Sequence, residues 1–402
     1  MKKGWEIKKL GDIVDKYNGL WKGKKPPFVK VAVIRNTNFS KDCKLRLQNI
    51  EYLDVEEKQY KTRKLFEGDI IIEKSGGSDK QPVGRPILFD IKHGEYSFSN
   101  FTSAIRVKEG LKIMPKFLQL CLYNHYLLGA TFPLQSATTG IHNLDFKGYL
   151  ELEVPVPSLL EQGRIVEVLD AAFAKIDALK ENAQKNLENA KALFQQVLKQ
   201  ELTPKPNWQT KKLSEIATDF SRGKSKHRPR NDKKLFGGNY PFIQTGDIRN
   251  SQKYVKKFNE TYNEFGLSQS KLWPKGTLCI TIAANIAETA ILDFPCCFPD
   301  SVIGLVPNNK LVDVNFIYFT LLLYKNELQN LGKGSAQDNI NLGTFEKNQF
   351  PFPTKKEQEE IVMTIDAISQ KCSKVIANAE KTIAECDALK QAVLRRAFNG
   401  EL

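Results

Sequence analysis

The feature that most constrains this chain is an internal duplication, because its second half repeats the first with a period of about 200 residues. The opening that both halves share is Trp5, Lys8-Lys9-Leu10 and Ile13 in the first and Trp208, Lys211-Lys212-Leu213 and Ile216 in the second. The closing segments match better, since 157–198 aligns with 353–394 without a gap and roughly a third of the positions are identical. Solenoid repeats are typically about 20 to 50 residues long, so this period indicates a duplicated domain.

Each repeat divides by composition into a globular part and a helical part. The globular parts, 1–155 and 204–352, are rich in Gly, Pro, Asn and aromatic residues. Apolar runs predict strands at 69–72 and 278–282, and apolar residues at helical spacing predict helices near 115–128 and 314–331. The sequence therefore predicts an α+β fold with two tandem globular domains.

The remaining parts, 156–203 and 353–402, predict two long amphipathic helices, because 164–202 and 354–398 contain no glycine or proline. Each carries apolar residues at two heptad positions, which would form a seam. These residues are Leu169, Phe173, Ile176, Ala183, Leu187, Ala190, Phe194 and Val197 in the first helix and Ile365, Cys372, Ile376, Ala379, Ile383, Cys386 and Val393 in the second. A helix of about 40 residues extends roughly 60 Å, which favours pairing of the two helices over packing of each on its own domain.

Charge and composition narrow the partner and the compartment. Lys and Arg outnumber Asp and Glu by 60 to 46, and the resulting net charge of +14 favours a polyanionic partner. Charge alone is equally compatible with an ordinary basic, soluble protein. The opening 1–10 lacks the apolar core of a secretory signal, and the longest apolar run, 316–324, is shorter than the roughly 20 residues of a membrane span. Seven cysteines without a Cys-x-x-Cys pair argue against a disulfide framework and a zinc site. We therefore expect a soluble, cytoplasmic protein with reduced thiols.

Three motifs together point to a family. They are the Trp-x-x-x-Lys-Leu opening of each half, the junction Pro-x-Pro-x-x-x-Glu-Gln-x-x-Ile-Val at 155–166 and again at 351–362, and a closing helix that ends in Glu401-Leu402. The opening alone is a weak signal, whereas the junction occurring twice at matching places is specific. Over essentially its whole length, the chain resembles the specificity subunit of Type I restriction-modification systems.

This resemblance implies two target recognition domains, each reading one half of a bipartite DNA sequence. Two helical regions between them would pack as an antiparallel coiled coil and act as a ruler. Two methylation subunits would dock on the helices and carry S-adenosylmethionine, and restriction subunits, where present, would supply cleavage with ATP and magnesium. The resemblance implies no catalysis and no cofactor in this chain itself. The second helical region is about four residues longer at its end, 395–402 against 199–202, which predicts imperfect symmetry there.

Candidate phosphate contacts come from two cationic loops, because proteins bind duplex DNA mainly by neutralising phosphates with Lys and Arg. The richest stretch is 222–234, where Gly223 and Pro229 indicate a loop, and a similar cluster lies beside Trp21 in the first half. Solvated charge is the usual role of such runs, but their occurrence at the same point of both halves favours binding. The candidates are Lys22, Lys24, Lys25, Arg222, Lys224, Lys226, Arg228 and Arg230.

Candidate base readers are polar side chains on loops, because these offer the donors and acceptors that major-groove edges require. In the first half they are Lys74, Ser75, Ser78, Lys80, Gln81 and Arg85 on a Gly-rich loop and Thr138, Thr139 and His142 on a later one. In the second half they are Thr245, Arg249, Asn285, Gln337, Asn339 and Asn341. The Gly-rich segment 75–78 is equally compatible with an ordinary hairpin turn, and it lacks the Gly-Lys-Ser/Thr ending of a P-loop.

Two other classes of function remain open. A catalytic chain finds little support, because there is no Asn-Pro-Pro-Tyr, Asp-Pro-Pro-Tyr or His-Glu-x-x-His run and the four histidines are scattered. Asp69, Glu73 and Lys74 superficially resemble a nuclease's acidic pair and lysine, but their spacing differs and we interpret Asp69 as a turn residue. A coiled-coil adaptor that binds nucleic acid without sequence preference would differ only in sequence discrimination, and a degenerate enzyme only in residual activity.

Overall fold

The computed structural model describes residues 4–21, 25–79, 81–138, 140–283, 285–333 and 340–402. The chain forms two compact units. Unit 1 consists of Met1–Gln184 together with Glu380–Leu402, and unit 2 consists of Lys185–Ala379. Each unit therefore combines one globular part with a stretch of each of two long helices.

Unit 1 begins with the first globular part. Its strands are β1 (Glu6–Lys9), β2 (Val14–Asn18), β3 (Phe28–Ile34), β4 (Glu51–Glu56), β5 (Ile70–Glu73), β6 (Ser75–Gly77), β7 (Pro86–Leu88), β8 (Tyr96–Phe98), β9 (Thr102–Val107), β10 (Gln135–Thr138), β11 (Ile141–Leu144) and β12 (Glu153–Val156). Its helices are α1 (Leu10–Ile13), α2 (Glu57–Arg63), α3 (Pro115–Leu127), α4 (Phe146–Leu150) and the first part of α5 (Leu159–Glu201), with single 3-10 turns at Asn36–Asn38 and Phe132–Leu134.

The sheets of unit 1 explain its apolar runs. One sheet has the strand order β2-β9-β5-β7, a second has β4-β3-β8, and β1 pairs with β12. The central strand β5 consists of three isoleucines and Glu73, and all four residues are buried, as expected for a strand covered on both faces. Just before it, the Asp69 carboxylate accepts a hydrogen bond from the Phe66 N–H (2.8 Å), which confirms the turn role predicted for Asp69.

Unit 2 contains the second globular part. Its strands are β13 (Gln209–Lys211), β14 (Ala217–Arg222), β15 (Phe236–Phe242), β16 (Tyr254–Val255), β17 (Glu260–Tyr262), β18 (Leu272–Trp273), β19 (Leu278–Thr281), β20 (Thr289–Leu292), β21 (Cys296–Cys297), β22 (Val302–Pro307) and β23 (Phe350–Phe352). Its helices are α6 (Thr245–Asn250), α7 (Glu264–Ser268), α8 (Val314–Leu323), α9 (Lys325–Lys333), α10 (Leu342–Lys347) and most of α11 (Lys355–Phe398), with 3-10 turns at Leu213–Ile216 and Lys233–Leu235.

The strand orders repeat from unit to unit. In unit 2 the sheets run β14-β22-β19-β20-β16 and β17-β15-β21-β18, and β13 pairs with β23. The first four strands of the larger sheet therefore correspond one by one to β2-β9-β5-β7, and β17-β15-β21 corresponds to β4-β3-β8. The two globular parts therefore share one strand topology, although their sequences match only weakly.

The predicted helix near 314–331 is instead two helices, α8 and α9, which divide at Tyr324. The Tyr324 N–H still donates to the Thr320 carbonyl (3.1 Å). Leu321 and Leu328, seven residues apart on either side of the break, are both buried. Apolar spacing continues across the break, so periodicity alone could not reveal it.

A buried glutamine lies in the first turn of each long helix, and its hydrogen bonds explain the structural role of the duplicated Glu-Gln junction. Gln162 accepts from the Met114 N–H (2.8 Å) and donates to the carbonyls of Lys112 and Pro157 (both 2.9 Å). Gln358 repeats this set, accepting from the Asp313 N–H (2.9 Å). Its side-chain amide donates to the Leu311 carbonyl (3.2 Å), which lies just before Asp313, and to the Pro353 carbonyl (3.0 Å), which lies just before α11. Each glutamine thereby binds its long helix to the segment that leads into α3 or α8.

Within unit 1, α5 and α11 lie side by side and antiparallel. Lys180 pairs with Asp387 and Asp177 pairs with Lys390, so residue numbers rise along one helix as they fall along the other. At the end of α11, Phe398 belongs to the core of the first globular part, with its ring 5.4 Å from that of Phe117. The last turns of the chain are therefore part of the N-terminal domain's core.

Within unit 2, the same two helices are again antiparallel. Leu198 near the end of α5 and Leu202 just after it share one buried cluster with Ile361 and Ile365 near the start of α11. Burial recurs every seven residues along the predicted seam. The buried members are Leu169, Ile176, Ala183 and Ala190 in α5 and Ile365, Cys372, Ala379 and Cys386 in α11. The predicted antiparallel pairing is confirmed in each unit.

The seven cysteines are free and buried, as expected for thiols that pack as small apolar residues. Among the described residues, no helix is long and apolar enough to cross a membrane. The same residues contain no group of three or more His, Cys, Asp or Glu side chains placed to hold a metal ion.

Candidate functional site

The described residues include only part of the cationic loop of the first half. Lys22 and Lys24 lie outside the described residues. Lys25 is exposed, and its N–H donates to the Glu56 side chain (2.7 Å) at the end of β4. Trp21, just before the cluster, is 62% exposed. A large exposed aromatic ring next to lysines suits a polyanion surface, because it offers apolar contact where the cations bind phosphate.

The two predicted reading loops of the first half meet in one small sheet. The segment expected to be a Gly-rich loop contains strand β6, which pairs with β11 of the hairpin β10-β11. A tight turn follows at Ser78, whose N–H donates to the Gln81 carbonyl (2.8 Å). The loop prediction is therefore wrong for 75–77 and the hairpin-turn alternative is closer, because pairing with β11 satisfies the backbone that a loop would leave to water.

Several candidates of the first half share this three-stranded sheet. Ser75 donates to the Asn143 side chain (2.6 Å), and His142 lies 3.3 Å from the exposed carboxylate of Asp79. Thr138 ends β10, and Lys74 immediately precedes β6. Lys80 and Thr139 lie outside the described residues. The sheet thus contains Ser75, Thr138 and His142, and Ser78 lies in the turn that follows β6, although the sequence placed these residues on two separate loops.

Arg85 occupies a structural position. It is 5% exposed, and its guanidinium makes a two-pronged ion pair with Glu73 (2.7 and 2.8 Å). It also donates to the carbonyls of Phe39 (3.2 Å) and Ser40 (3.3 Å). A guanidinium so occupied has no free donor pair to offer a guanine edge. We therefore remove Arg85 from the set of base readers.

The cationic loop of the second half is organised by an acidic residue that sequence reasoning missed. Asp300 pairs with Arg230 (2.7 Å) and lies 3.8 Å from Arg228, and its carbonyl accepts from Arg222 (2.8 Å). Lys224 and Lys226 are exposed on the same loop. No local pattern marks Asp300, because it lies 70 residues after Arg230 in the chain.

The loop is held in place at Gly223. An added Cβ there would lie 2.4 Å from the carbonyl oxygens of Phe298 and Pro299. Gly19 has the same role in the first half, where a Cβ would lie 1.8 Å from the Ser99 carbonyl oxygen. Such close approach of backbone to backbone permits only glycine.

In the second half, one reading candidate and one cationic candidate line the same cleft. Thr245 and Arg230 line a cleft of about 560 Å³ together with Asn231 and Gln244, two amide side chains that the sequence reading missed. Arg249, on α6, donates to the Asn285 side chain (3.1 Å). Both residues are accessible at their surfaces, so this pair and the cleft present several donors and acceptors on one side of α6.

Of the remaining candidates of the second half, Asn341 does not line this cleft. Asn341 caps α10, where its side chain accepts from the Thr344 N–H (3.1 Å). That hydrogen bond satisfies a helix N-terminus, so we assign Asn341 a structural role. Gln337 and Asn339 lie outside the described residues.

Comparison with known proteins identifies the family. The model of the Type I restriction modification DNA specificity domain matches the chain twice, at residues 2–189 and 205–385. The chain belongs to this family. Its members are the specificity subunits, which are non-catalytic.

Relatives named as specificity subunits span most of this chain. The Type I restriction enzyme StySPI specificity subunit of Salmonella potsdam is 24% identical over 371 residues, covering 85% of this chain and 76% of that protein. The putative type I restriction enzyme MjaX specificity subunit of Methanocaldococcus jannaschii is 20% identical over 412 residues, covering 99% and 93%.

Two solved structures share the fold. A chain from a structural study of complex assembly and conformational transition of the type I R-M system has a TM-score of 0.73 at 19% identity, covering 100% of this chain and 99% of that chain. The HsdS subunit from Thermoanaerobacter tengcongensis has a TM-score of 0.56 at 18% identity, covering 100% and 98%. These comparisons confirm the family expected from the junction motifs. They identify a DNA specificity subunit and not a coiled-coil adaptor.

Proposed function

We propose that each globular part binds one half of a bipartite DNA target and that α5 and α11 set the number of unread base pairs between the halves. The observation that carries this proposal is the twofold occurrence of one reader topology, matched twice by one DNA specificity domain. Two copies of one reader on one chain suit a target with two separated parts.

In the second reader, the exposed Lys224 and Lys226 would neutralise phosphates. Arg230, oriented by Asp300, and Thr245 beside it would face base edges across the cleft. In the first reader, Lys25 would contact phosphate and the β10-β11-β6 sheet would carry Ser75, Ser78 and His142 towards a groove.

The helices would also bind the methylation subunits. In unit 1, Leu179 of α5 and Leu389 of α11 are 52% and 48% exposed, and in unit 2 Leu193 and Val375 are 48% and 43% exposed. All four lie three residues after a seam position. Because the helices in each unit run antiparallel, equal heptad positions of both helices come to the same face of the pair. Each unit thereby offers one apolar patch, which fits two methylation subunits per chain.

The chemistry would reside in those partners. Methylation subunits would supply S-adenosylmethionine, and restriction subunits, in a system that also cleaves, would use ATP and magnesium. Adenine methylation requires the target base to leave the stack, which we assign to the methylation subunit. The assembly would act in the cytoplasm, where it meets chromosomal DNA.

The direct test is genome-wide mapping of modified bases in cells with and without this chain. We expect one bipartite motif to lose its methylation when the chain is removed. Replacing residues 1–155 with the corresponding domain of another specificity subunit should change one half of the motif and leave the other unchanged. Loss of both halves in a folded hybrid, or a motif without two parts, would refute the proposal.

A further inference from the structure

A buried lysine interrupts the helix seam of unit 1. Lys390 occupies the second apolar heptad position of α11, and the residue aligned with it in the first repeat is Phe194. Lys390 is only 5% exposed. A lysine at one seam position costs stability but specifies the register in which the helices pair. We therefore look for the interactions that offset this cost at Lys390, where the other repeat has Phe194.

The partners of Lys390 come from two different parts of unit 1. Its ammonium pairs with Asp177 of α5 and lies 3.9 Å from Asp42 in the loop after β3. Lys44 of that loop binds the second oxygen of Asp177 (2.7 Å) and lies 3.7 Å from Asp42. The ammonium also lies 5.5 Å from the centre of the Phe173 ring. Two lysines and two aspartates thus alternate in one cluster.

This cluster ties three segments to one another: α5 through Asp177, α11 through Lys390, and the first globular part through Asp42 and Lys44. A nearby hydrogen bond adds to it, because the Gln391 side chain donates to the Leu127 carbonyl (3.0 Å) at the end of α3. Unit 2 fastens its globular part differently. There Lys253, from the globular part, binds Asp366 of α11 (2.7 and 2.9 Å), and the seam position holds Phe194.

We propose that Lys390 is a positioning residue that fixes the first reader on the helix pair and so narrows the range of spacer lengths that the subunit accepts. The inference rests on the proposed function, since spacer length has meaning only for a two-part target. Lys390 itself need not touch DNA. A register shift of one whole heptad, about 10 Å along α5, would move the reading surface by more than one base-pair step of about 3.4 Å.

The test uses the full chain with its methylation subunits and measures methylation of duplexes that carry the mapped target. Three duplexes differ in spacer alone: the native length, one base pair shorter and one base pair longer. Lys390→Met should lower the preference for the native spacer by about tenfold while leaving the base preference within each half unchanged. Lys390→Arg, which restores the cation, should recover the preference. The matched control is Lys381→Met, at an exposed position of the same helix.

The possible results separate the two proposals. If the wild-type subunit accepts all three spacers equally, the ruler function itself fails. If the wild type is selective and Lys390→Met keeps the same selectivity, the role of Lys390 fails alone. Should Lys390→Met not fold, Lys44→Met decides, because it removes the exposed link from the loop and leaves the helix pair intact. Reduced spacer selectivity in Lys44→Met supports the proposal, and unchanged selectivity overturns it.

Discussion

At the residue scale, the side chains of Gln162 and Gln358 bind backbone groups of segments distant in the sequence. The twice-occurring Glu-Gln identified the family from the sequence. Two of the three hydrogen bonds of each glutamine could not be predicted, because those partners are backbone groups 45 to 50 residues away along the chain. For Arg85 the sequence suggested a role in binding that the structure does not support. Its residue type suggested a base reader, whereas its burial and its pairing with Glu73 depend on tertiary packing that the local sequence does not encode.

Gln162→Leu should destabilise the protein by about 1 to 3 kcal/mol, because the Met114 N–H loses its acceptor within the protein interior. Gln358→Leu should have a similar effect through Asp313. Chemical denaturation monitored by circular dichroism measures both. Gln195→Leu, at an exposed position of α5, is the matched control and should change stability by less than about 0.5 kcal/mol. Equal stability of Gln162→Leu and the wild type would contradict the structural role of the junction.

Lys224→Gln combined with Lys226→Gln should weaken binding about equally for all DNA sequences. The slope of log affinity against log salt should fall by about 2, since each phosphate contact contributes about 0.9. Fluorescence anisotropy at several salt concentrations, with the methylation subunits present, measures this slope. Lys310→Gln removes the same charge from another exposed position of unit 2 and should leave the slope unchanged. A reduced affinity for one sequence only would instead make these lysines base readers.

The Asp177 carboxyl should make stability depend on acid. Burial by itself would raise its pKa, but hydrogen bonds from Lys390 and Lys44 outweigh burial and the pKa is lowered from 3.8. A pKa below its value in the unfolded chain adds stability above about pH 4, and this stability is lost as pH falls through the folded value. Asp177→Asn should therefore be less stable at pH 6 and lose less on acidification to about pH 3. Urea unfolding at both pH values, with exposed Asp90→Asn as control, checks this; identical pH profiles would contradict it.

At the element scale, the long helices were the most predictable part of the chain. Their heptad pattern gave the seam correctly, because burial every seven residues is a property of the helix itself. The division at Tyr324 and the strand at 75–77 were not predictable. The first hides within continuous apolar spacing, and the second depends on pairing with β11, which lies more than sixty residues along the chain.

The apolar patches on the helix pair should set how many methylation subunits bind. Leu179→Asp combined with Leu389→Asp should remove the patch of unit 1 and reduce the complex from two methylation subunits to one. Leu193→Asp combined with Val375→Asp should do the same in unit 2. Native mass spectrometry measures the stoichiometry, and Leu47→Asp, at a residue 42% exposed in the first globular part, is the control. Two bound subunits in either double variant would place the docking surface elsewhere.

At the scale of the whole molecule, the duplication determines both what was predictable and what was not. It predicted two domains of one topology, and the corresponding strand orders confirm them. It did not predict that each compact unit takes in helix from both repeats, so that Phe398 near the C-terminus completes the core of the N-terminal domain. That arrangement depends on contacts between the ends of the chain, for which local patterns carry no signal.

The central claim is that a paired-helix spacer sets the distance between two readers. Seven residues, one heptad, inserted after Gln184 in α5 and after Ala379 in α11 would preserve the seam and lengthen both helices by about 10 Å. Modified-base mapping in cells that carry this variant should then show both half-sites unchanged and a spacer longer by about three base pairs. A folded, active variant that methylates the original spacing would contradict the account.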